Sequence, residues 1–231
     1  LLPLSRRLWK KRIGSCSLNS LEKRVLGLRR SEEDVPGWMI PGMYMDYLRT
    51  GDATDLLRVF YHNRIDMLSM IVLSALVNKH LSQPDDVSDP LDLLSLAMWQ
   101  NSLGMINEAE TTLRQVTDRE ISLDQQHLAW RELGLLLKRA GRREEAAVHW
   151  RQIAVTHVQG MSPDSIALEA HVELAKYFEW HVQDLKEARS WTKQAISIVE
   201  GWSSARSTLA KDELKHRLTR LERKLNRDED T

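Results

Sequence analysis

The chain has 231 residues, of which 42% are apolar and 29% are charged, and its 33 Lys and Arg balance 33 Asp and Glu. This composition is typical of a globular protein with one large domain or two modest ones, of which we expect two, and a single cysteine, Cys16, excludes an intrachain disulfide or a thiolate zinc site. No apolar run approaches the roughly 18 to 20 residues of a membrane span and no signal peptide pattern opens the chain, so we expect a cytoplasmic protein without a membrane partner.

The first thirty residues are strongly basic, with nine Lys and Arg against a single acid, Glu22. A basic surface attracts phosphate backbones. We therefore predict that the cations of the first amphipathic stretch contact nucleic acid. They are Arg6, Arg7, Lys10, Lys11 and Arg12. The alternative is a solvated helix face whose counter-charges come from Glu32, Glu33 and Asp34. Because Leu1 begins inside this amphipathic stretch, we expect the chain to be a fragment or a processed piece.

Short helices separated by glycine and proline follow. Asn19 with Glu22 three residues later predicts a capped helix. Pro36-Gly37 and Pro41-Gly42 predict breaks, and one helix should end at Gly51 before another begins at residue 52 or 54. Strand signals are absent, so the sequence predicts an all-α chain.

The segment Tyr61 to Ser69 opens an apolar helix that should run to about Leu81. His62 and Asp66 are four residues apart, so they share one helix face. In metal-dependent phosphodiester hydrolysis a carboxylate holds a divalent ion and a neighbouring His or Tyr orients or deprotonates the attacking water. We therefore take His62 and Asp66 as candidate catalytic residues and Asp66 as a candidate metal ligand. The alternative is a helix cap or a structural ion pair.

Pro84-Asp85-Asp86 ends this helix, and a self-similar helical pattern begins at residue 87. The clearest copy contains Trp130, Leu133, Gly134, Leu137, Gly141, Ala146 and Trp150. This order of large and small residues resembles the tetratricopeptide repeat, in which Gly134 and Ala146 would lie where paired helices approach most closely. Residues 93–113 contain an earlier copy, and residues 174–195 contain a later, looser copy. We therefore predict two domains, 1–86 and 87–231, the second an α-solenoid with a C-terminal capping helix.

Three further features belong to the predicted solenoid. Ser162-Pro163 predicts one helix start, and Ser203 or Ser204 predicts the start of the capping helix. The cations of the capping helix are interpreted as a solvated face, although they could touch phosphates. The tryptophans near the repeats are expected to fill the core and not to stack on bases. These are Trp99, Trp130, Trp150, Trp180 and Trp191.

Five motifs in the first eighty residues resemble the C-terminal half of YprB-type ribonuclease H-like domains. They are Arg6-Arg7-Leu8-Trp9, Ser15-Cys16-Ser17-Leu18 with Leu21-Glu22, Asp34-Val35-Pro36-Gly37, Tyr47-Leu48-Arg49-Thr50-Gly51-Asp52 and His62-Asn63-Arg64-Ile65-Asp66. That family belongs to the DEDD exonuclease superfamily, and its members often carry tetratricopeptide repeats behind the nuclease domain. The resemblance implies that residues 1–86 are the helical part of an α/β domain whose sheet lies upstream.

The resemblance also implies a site. Asp66 corresponds to the last of four metal-binding carboxylates, with His62 beside it as candidate base. Other DEDD branches place a His five residues before this Asp or a Tyr four residues before it, whereas here Tyr61 and His62 stand in those places, so the base stays open. The remaining carboxylates are expected upstream of Leu1. The resemblance therefore implies Mg2+ or Mn2+ in the intact parent and no catalysis by this piece alone.

Two functions remain open at this point. The chain is a fragment of a metal-dependent nuclease, in which the basic helices hold DNA or RNA and the repeats recruit a partner or substrate. Alternatively, it is a non-catalytic scaffold that binds a protein in the groove of the repeats. An acidic Asp-x-Glu strand upstream would favour the nuclease.

Overall fold

The computed structural model describes residues 1–31, 34–157, 164–202 and 205–229. These residues are helical nearly throughout and include no strand, which confirms the all-α prediction. The predicted caps at residues 162–163 and 203–204 and the predicted counter-charges Glu32 and Glu33 lie outside this part of the chain. Two compact units are present, Leu1–Trp99 and Gln100–Thr231. Their division falls inside a helix and differs from the boundary after residue 86, so the domain limits stay a prediction.

The first unit is built from five α-helices and three short turns of other helix types. The α-helices are α1 (Leu2–Ile13), α2 (Leu18–Leu21), α3 (Ile40–Thr50), α4 (Leu56–Ser82) and α5 (Pro90–Ser102), the last of which continues into the second unit. The turns are a π-helical turn at Glu22–Leu26 and 3-10 turns at Gly37–Met39 and Pro84–Asp86. Ser17, and not the predicted Asn19, caps α2 by accepting a hydrogen bond from the Ser20 amide.

Helix α1 packs on the C-terminal half of α4. Leu8 and Trp9 on α1 and Leu73 on α4 are completely buried, and the rings of Trp9 and His80 meet edge to face. A second apolar cluster joins α3 to the start of α4 through Met43 and Val59. These contacts fix α4, which carries the candidate catalytic residues.

Much of α4 is nevertheless uncovered by the rest of the first unit. Large apolar side chains are exposed along it, with Phe60 at 64%, Met67 at 58% and Ile71 at 65% relative exposure. The predicted separate helices around residues 56–60 and 62–81 are one continuous helix of 27 residues. By length and composition alone this helix is apolar enough to cross a membrane. These two criteria are weak evidence for a membrane span, because core helices of soluble proteins also meet them.

The second unit is an array in which consecutive helices pack on each other. Its α-helices are α6 (Ile106–Thr117), α7 (Leu123–Arg139), α8 (Arg143–Thr156), α9 (Asp164–Tyr177), α10 (Leu185–Glu200) and α11 (Ala205–Glu229), with a π-helical turn at Phe178–Val182. Gly134 lies against buried Trp150, where an added Cβ would come within 2.8 Å of the indole. This close approach occurs where the repeat pattern placed a small residue, but the tetratricopeptide assignment itself stays a prediction.

Candidate active site

Three segments of the first unit bring polar side chains together. The π-helical turn supplies Glu22, the loop after it supplies Arg30 and Asp34, and one face of α4 supplies His62 and Asp66. The π-helical turn ends at Gly27, which has a left-handed φ of 66° that glycine adopts without strain. The chain therefore reverses here and carries Arg30 back toward α4.

The guanidinium of Arg30 is the centre of this cluster. Its Nε and Nη2 donate to the two carboxylate oxygens of Glu22 at 2.7 and 2.6 Å. Nη2 also donates to Asp66 Oδ1, and Nη1 donates to Asp34 Oδ2 at 3.2 Å. One cation thus binds three carboxylates, which leaves the cluster with an excess of negative charge.

Glu22 is the most deeply buried member, with 1% of its side chain exposed. Its Oε1 also accepts a hydrogen bond from Ser69 Oγ on α4 at 2.7 Å. Burial alone would raise the pKa of Glu22, but the hydrogen bonds from Arg30 and Ser69 outweigh it and hold the pKa below its ordinary value. Glu22 is therefore an ionised structural anchor, and it does not form the capping box that the sequence predicted.

His62 lies between two carboxylates. Its Nδ1 is 2.8 Å from Asp34 Oδ1, and its Nε2 is 3.5 Å from Asp66 Oδ2. The same Nδ1 is also 3.1 Å from Arg30 Nη1, which can only donate, so the tautomer of the ring decides which of the two contacts is a hydrogen bond. In the tautomer that donates from Nδ1 to Asp34, Nε2 is the unprotonated nitrogen, which is the arrangement that lets a histidine accept a proton from water.

Tyr61, the other candidate base, has a different environment. Its hydroxyl accepts a hydrogen bond from Ser31 Oγ at 3.0 Å on the surface. Tyr61 is also absent from the lining of the cavity on which His62 and Asp66 open. The geometry therefore favours His62 over Tyr61 as the base.

That cavity has a volume of about 890 Å³. Asp34, His62 and Asp66 line it together with three cations of the first unit, Lys23, Arg29 and Arg30. Gly37 forms part of the wall, and a Cβ added to it would lie 4.0 Å from His62 Nε2. A cavity that combines carboxylates, a histidine base and nearby cations suits a phosphate-containing ligand.

The residues described do not form a metal site on their own. Among them, no group of three His, Cys, Asp or Glu side chains is arranged to hold a metal ion. Arg30 instead supplies the positive charge between Glu22, Asp34 and Asp66. Ribonuclease H-like nucleases generally depend on divalent metal, so a metal would need ligands beyond this set.

The predicted nucleic-acid-binding cations of α1 have three different environments. Arg12 donates to both oxygens of Asp92 on α5 at 2.9 Å, so it joins helices of the first unit. Arg6 and Lys10 line a separate cavity of about 320 Å³ beside Cys16. Arg7 and Lys11 are exposed on the same helix. A role in nucleic acid binding stays a prediction for the five cations.

Sequence reasoning missed the two residues that organise the site, Arg30 and Glu22, and treated Asp34 as a counter-charge. The motif Asp34-Val35-Pro36-Gly37 was one signal, since an acid before a proline turn occurs in the resembled family. Arg30 had no such signal, because its partners lie 8, 4, 32 and 36 residues away along the chain.

The first part of the chain is similar to known proteins. Residues 1–78 match a family model of the RNase H superfamily. The chain is also 30% identical over 225 residues to the uncharacterized protein YprB of Bacillus subtilis (strain 168), an alignment that covers 97% of this chain and 52% of the relative. The chain thus spans about half the length of the curated relative it matches, and its first 78 residues are similar to an RNase H superfamily domain.

Proposed function

We propose that this chain is part of a nuclease that hydrolyses phosphodiester bonds in DNA or RNA. The observation that carries the proposal is the convergence of His62, Asp66 and Asp34 at one cavity. The match of residues 1–78 to the RNase H superfamily supports it, because this superfamily contains many nucleases. Function is assigned from the site, since fold alone does not determine activity.

Each residue of the cluster has a proposed task. Asp34 fixes the ring of His62 through Nδ1, so that Nε2 can accept a proton from the attacking water. Asp66 faces the same space as Nε2 and would orient that water. Lys23 and Arg29 at the cavity would bind the phosphate.

The proposal includes Mg2+ or Mn2+ in the longer protein. The donors in this chain are too few for a metal site, so the other ligands would come from the part of the protein that the relative possesses beyond the aligned half. We accordingly expect the 231-residue chain alone to be inactive.

The test compares variants of the longer protein in a metal-dependent nuclease assay on labelled single-stranded and double-stranded DNA and RNA. Asp66→Asn and His62→Gln should each lower kcat by roughly 10²- to 10⁴-fold, which is the usual rate contribution of a positioned general acid or base. The matched control is Asp46→Asn, because Asp46 is an exposed aspartate paired only with Arg49 on the surface. Equal activity of Asp66→Asn and the parent would rule out the proposal.

One observation favours a second function, that of a scaffold. All three carboxylates of the cluster are already paired with Arg30, as expected for a purely structural ion network. In that case the first unit only supports the helical array, which would bind a protein partner in its groove. Full nuclease activity in Asp66→Asn, or none in the parent protein, would favour this function.

A further inference from the structure

A second cavity lies within the helical array of the second unit. It has a volume of about 330 Å³ and is lined by α7, α8, α9 and the π-helical turn that follows α9. Its lining includes three cations, Lys138, Arg143 and Lys176, and a single carboxylate, Glu173. Nothing in the proposed catalysis uses this cavity.

The charges of the cavity do not cancel. Glu173 accepts hydrogen bonds from both Lys138 and Lys176, the latter at 2.8 Å. Burial alone would raise the pKa of Glu173, but the two lysines outweigh it and hold the pKa below the ordinary value. Arg143 is exposed and its side chain has no ion pair within the described ranges. The lining therefore carries two positive charges more than negative ones.

A second group of cations lies beside the residue that precedes Trp180. Glu179, whose side chain is fully buried, is bound by Arg217, Arg220 and Lys224 of α11. The guanidinium of Arg217 also lies over the ring of Trp180, 5.3 Å from its centroid. The cavity lining and the Glu179 cluster together contain six cations and two carboxylates, and we call these eight residues and Trp180 the Trp180 band.

Trp180 itself is 52% exposed, whereas the sequence analysis expected it in the core. The π-helical turn explains the difference, because it directs Glu179 inward to α11 and leaves the next residue at the surface. Tyr177 and His181 stand beside Trp180 in the cavity lining and approach each other with ring centroids 6.3 Å apart. Aromatic rings are therefore open at the centre of the positive band.

We propose that the Trp180 band binds single-stranded nucleic acid, with a base stacked on Trp180 and the cations on either side contacting phosphates. Exposed aromatic rings in a cationic groove are the features by which proteins hold single strands without reading their sequence. A surplus of four positive charges in a band that contains an exposed ring fits a repeating polyanion with flat bases better than a peptide carrying isolated carboxylates. The proposal gives the second unit a substrate-holding role in the proposed nuclease.

The first experiment measures binding of a fluorescein-labelled 20-nucleotide oligothymidylate to the 231-residue chain by fluorescence anisotropy. Trp180→Ala should raise Kd by roughly 5- to 100-fold, the range expected for loss of one base stack. Tyr44→Ala is the matched control, because Tyr44 is equally exposed at 52% but lies in the first unit away from both cavities. Circular dichroism checks that both variants keep the parent's helix content.

The second experiment measures the same binding as a function of salt. Arg143→Ala should reduce the slope of log Kobs against log salt by about 0.7, the value for one lost phosphate contact on a single strand. Arg139→Ala is the control, because Arg139 is an exposed arginine near the end of α7 that does not line the cavity. A parent-like slope in Arg143→Ala would contradict the phosphate contact.

Two results would overturn the proposal. Parent-like oligonucleotide binding in Trp180→Ala is one, and tighter binding of a labelled hexaglutamate peptide than of the oligonucleotide, lost in the same variant, is the other, since it would identify an acidic protein partner. The two proposals can fail separately, because the binding experiments use the 231-residue chain and require no turnover. A failed nuclease assay therefore does not affect the binding result.

Discussion

Arg30 forms a bidentate ion pair with Glu22, and the same guanidinium also donates hydrogen bonds to Asp34 and Asp66. The pair joins the π-helical turn to the loop that precedes α3, and Ser69 attaches Glu22 to α4. The position of the candidate catalytic residues therefore depends on a cation that does not itself need to take part in proton transfer.

The first prediction concerns the stability of this network. Arg30→Gln should lower the free energy of unfolding of the 231-residue chain by about 3 to 5 kcal/mol, because it leaves the buried carboxylate of Glu22 without its cation. Urea denaturation followed by circular dichroism measures the change. Arg49→Gln is the control, since Arg49 is 75% exposed in a surface ion pair, where about 0 to 1 kcal/mol is expected.

A double variant distinguishes pairing from a general effect of losing the arginine. Glu22→Gln combined with Arg30→Gln removes both buried charges, so the double variant should be less destabilised than the sum of the single variants. Additive losses would show that the two side chains do not depend on each other.

Part of this site could be predicted from the sequence. The spacing of His62 and Asp66 placed them on one helix face because helical periodicity is a local property. The same reasoning could not find Arg30 or the inward turn of Glu22, since these depend on a π-helical turn and on contacts between distant segments. A capping box and a buried anchor require the same residue type at position 22, and only tertiary packing decides between them.

In the helical array, too, some features could be predicted from the sequence and others could not. The sequence identified Gly134 as a close-packing position, because large residues surround a glycine in a repeating pattern, and the indole of Trp150 indeed lies against it. The tryptophans could not all be assigned in this way. A shift of register at the π-helical turn exposes Trp180, and such turns have no reliable sequence signal.

The second prediction concerns pH. His127 and His171 are 0% and 4% exposed, and burial lowers the pKa of each below the ordinary value of 6.5. The unfolded chain therefore binds protons more readily than the folded one, so the stability they contribute is present above about pH 6.5 and is lost as the pH falls through their lowered pKa values. Urea midpoints measured from pH 7.5 down to 5 should decrease.

A variant of His171 tests whether this histidine causes part of the loss of stability at low pH. His171 Nδ1 contacts the Ala167 carbonyl at 2.7 Å, a bond that the amide of His171→Gln can replace. This variant should lose less stability between pH 7.5 and 5 than the parent does. His216→Gln is the matched control, because His216 is exposed on α11. An equal response of both variants would contradict the assignment to His171.

The third prediction concerns Gly134. Adding a methyl group there places a carbon 2.8 Å from Trp150, which is itself 2% exposed and cannot move freely. Gly134→Ala should therefore destabilise the chain by about 1 to 3 kcal/mol, despite the better helix propensity of alanine. Gly42→Ala in α3 is the matched control, because nothing lies within 4 Å of an added Cβ there; it should be neutral or stabilising. Equal effects of the two substitutions would contradict the close packing.

The fourth prediction concerns the exposed apolar face of α4. Ile71 is 65% exposed in this chain, and we expect the polypeptide that the longer relative contains beyond the aligned half to cover it. Ile71→Ser should then change the stability of the 231-residue chain by less than about 0.5 kcal/mol. In the longer protein the same substitution should lower the free energy of unfolding by about 1.5 to 3 kcal/mol, which is the stabilisation expected from burying an isoleucine side chain.

Thermal or urea unfolding of both proteins provides the comparison, with Asn78→Ser as a control at an exposed polar position of the same helix. Asn78→Ser should have a small effect in both lengths of chain. If Ile71→Ser is as harmless in the longer protein as in the shorter one, the face is not covered by the additional polypeptide, and α4 is then not an internal helix of a larger ribonuclease H-like domain.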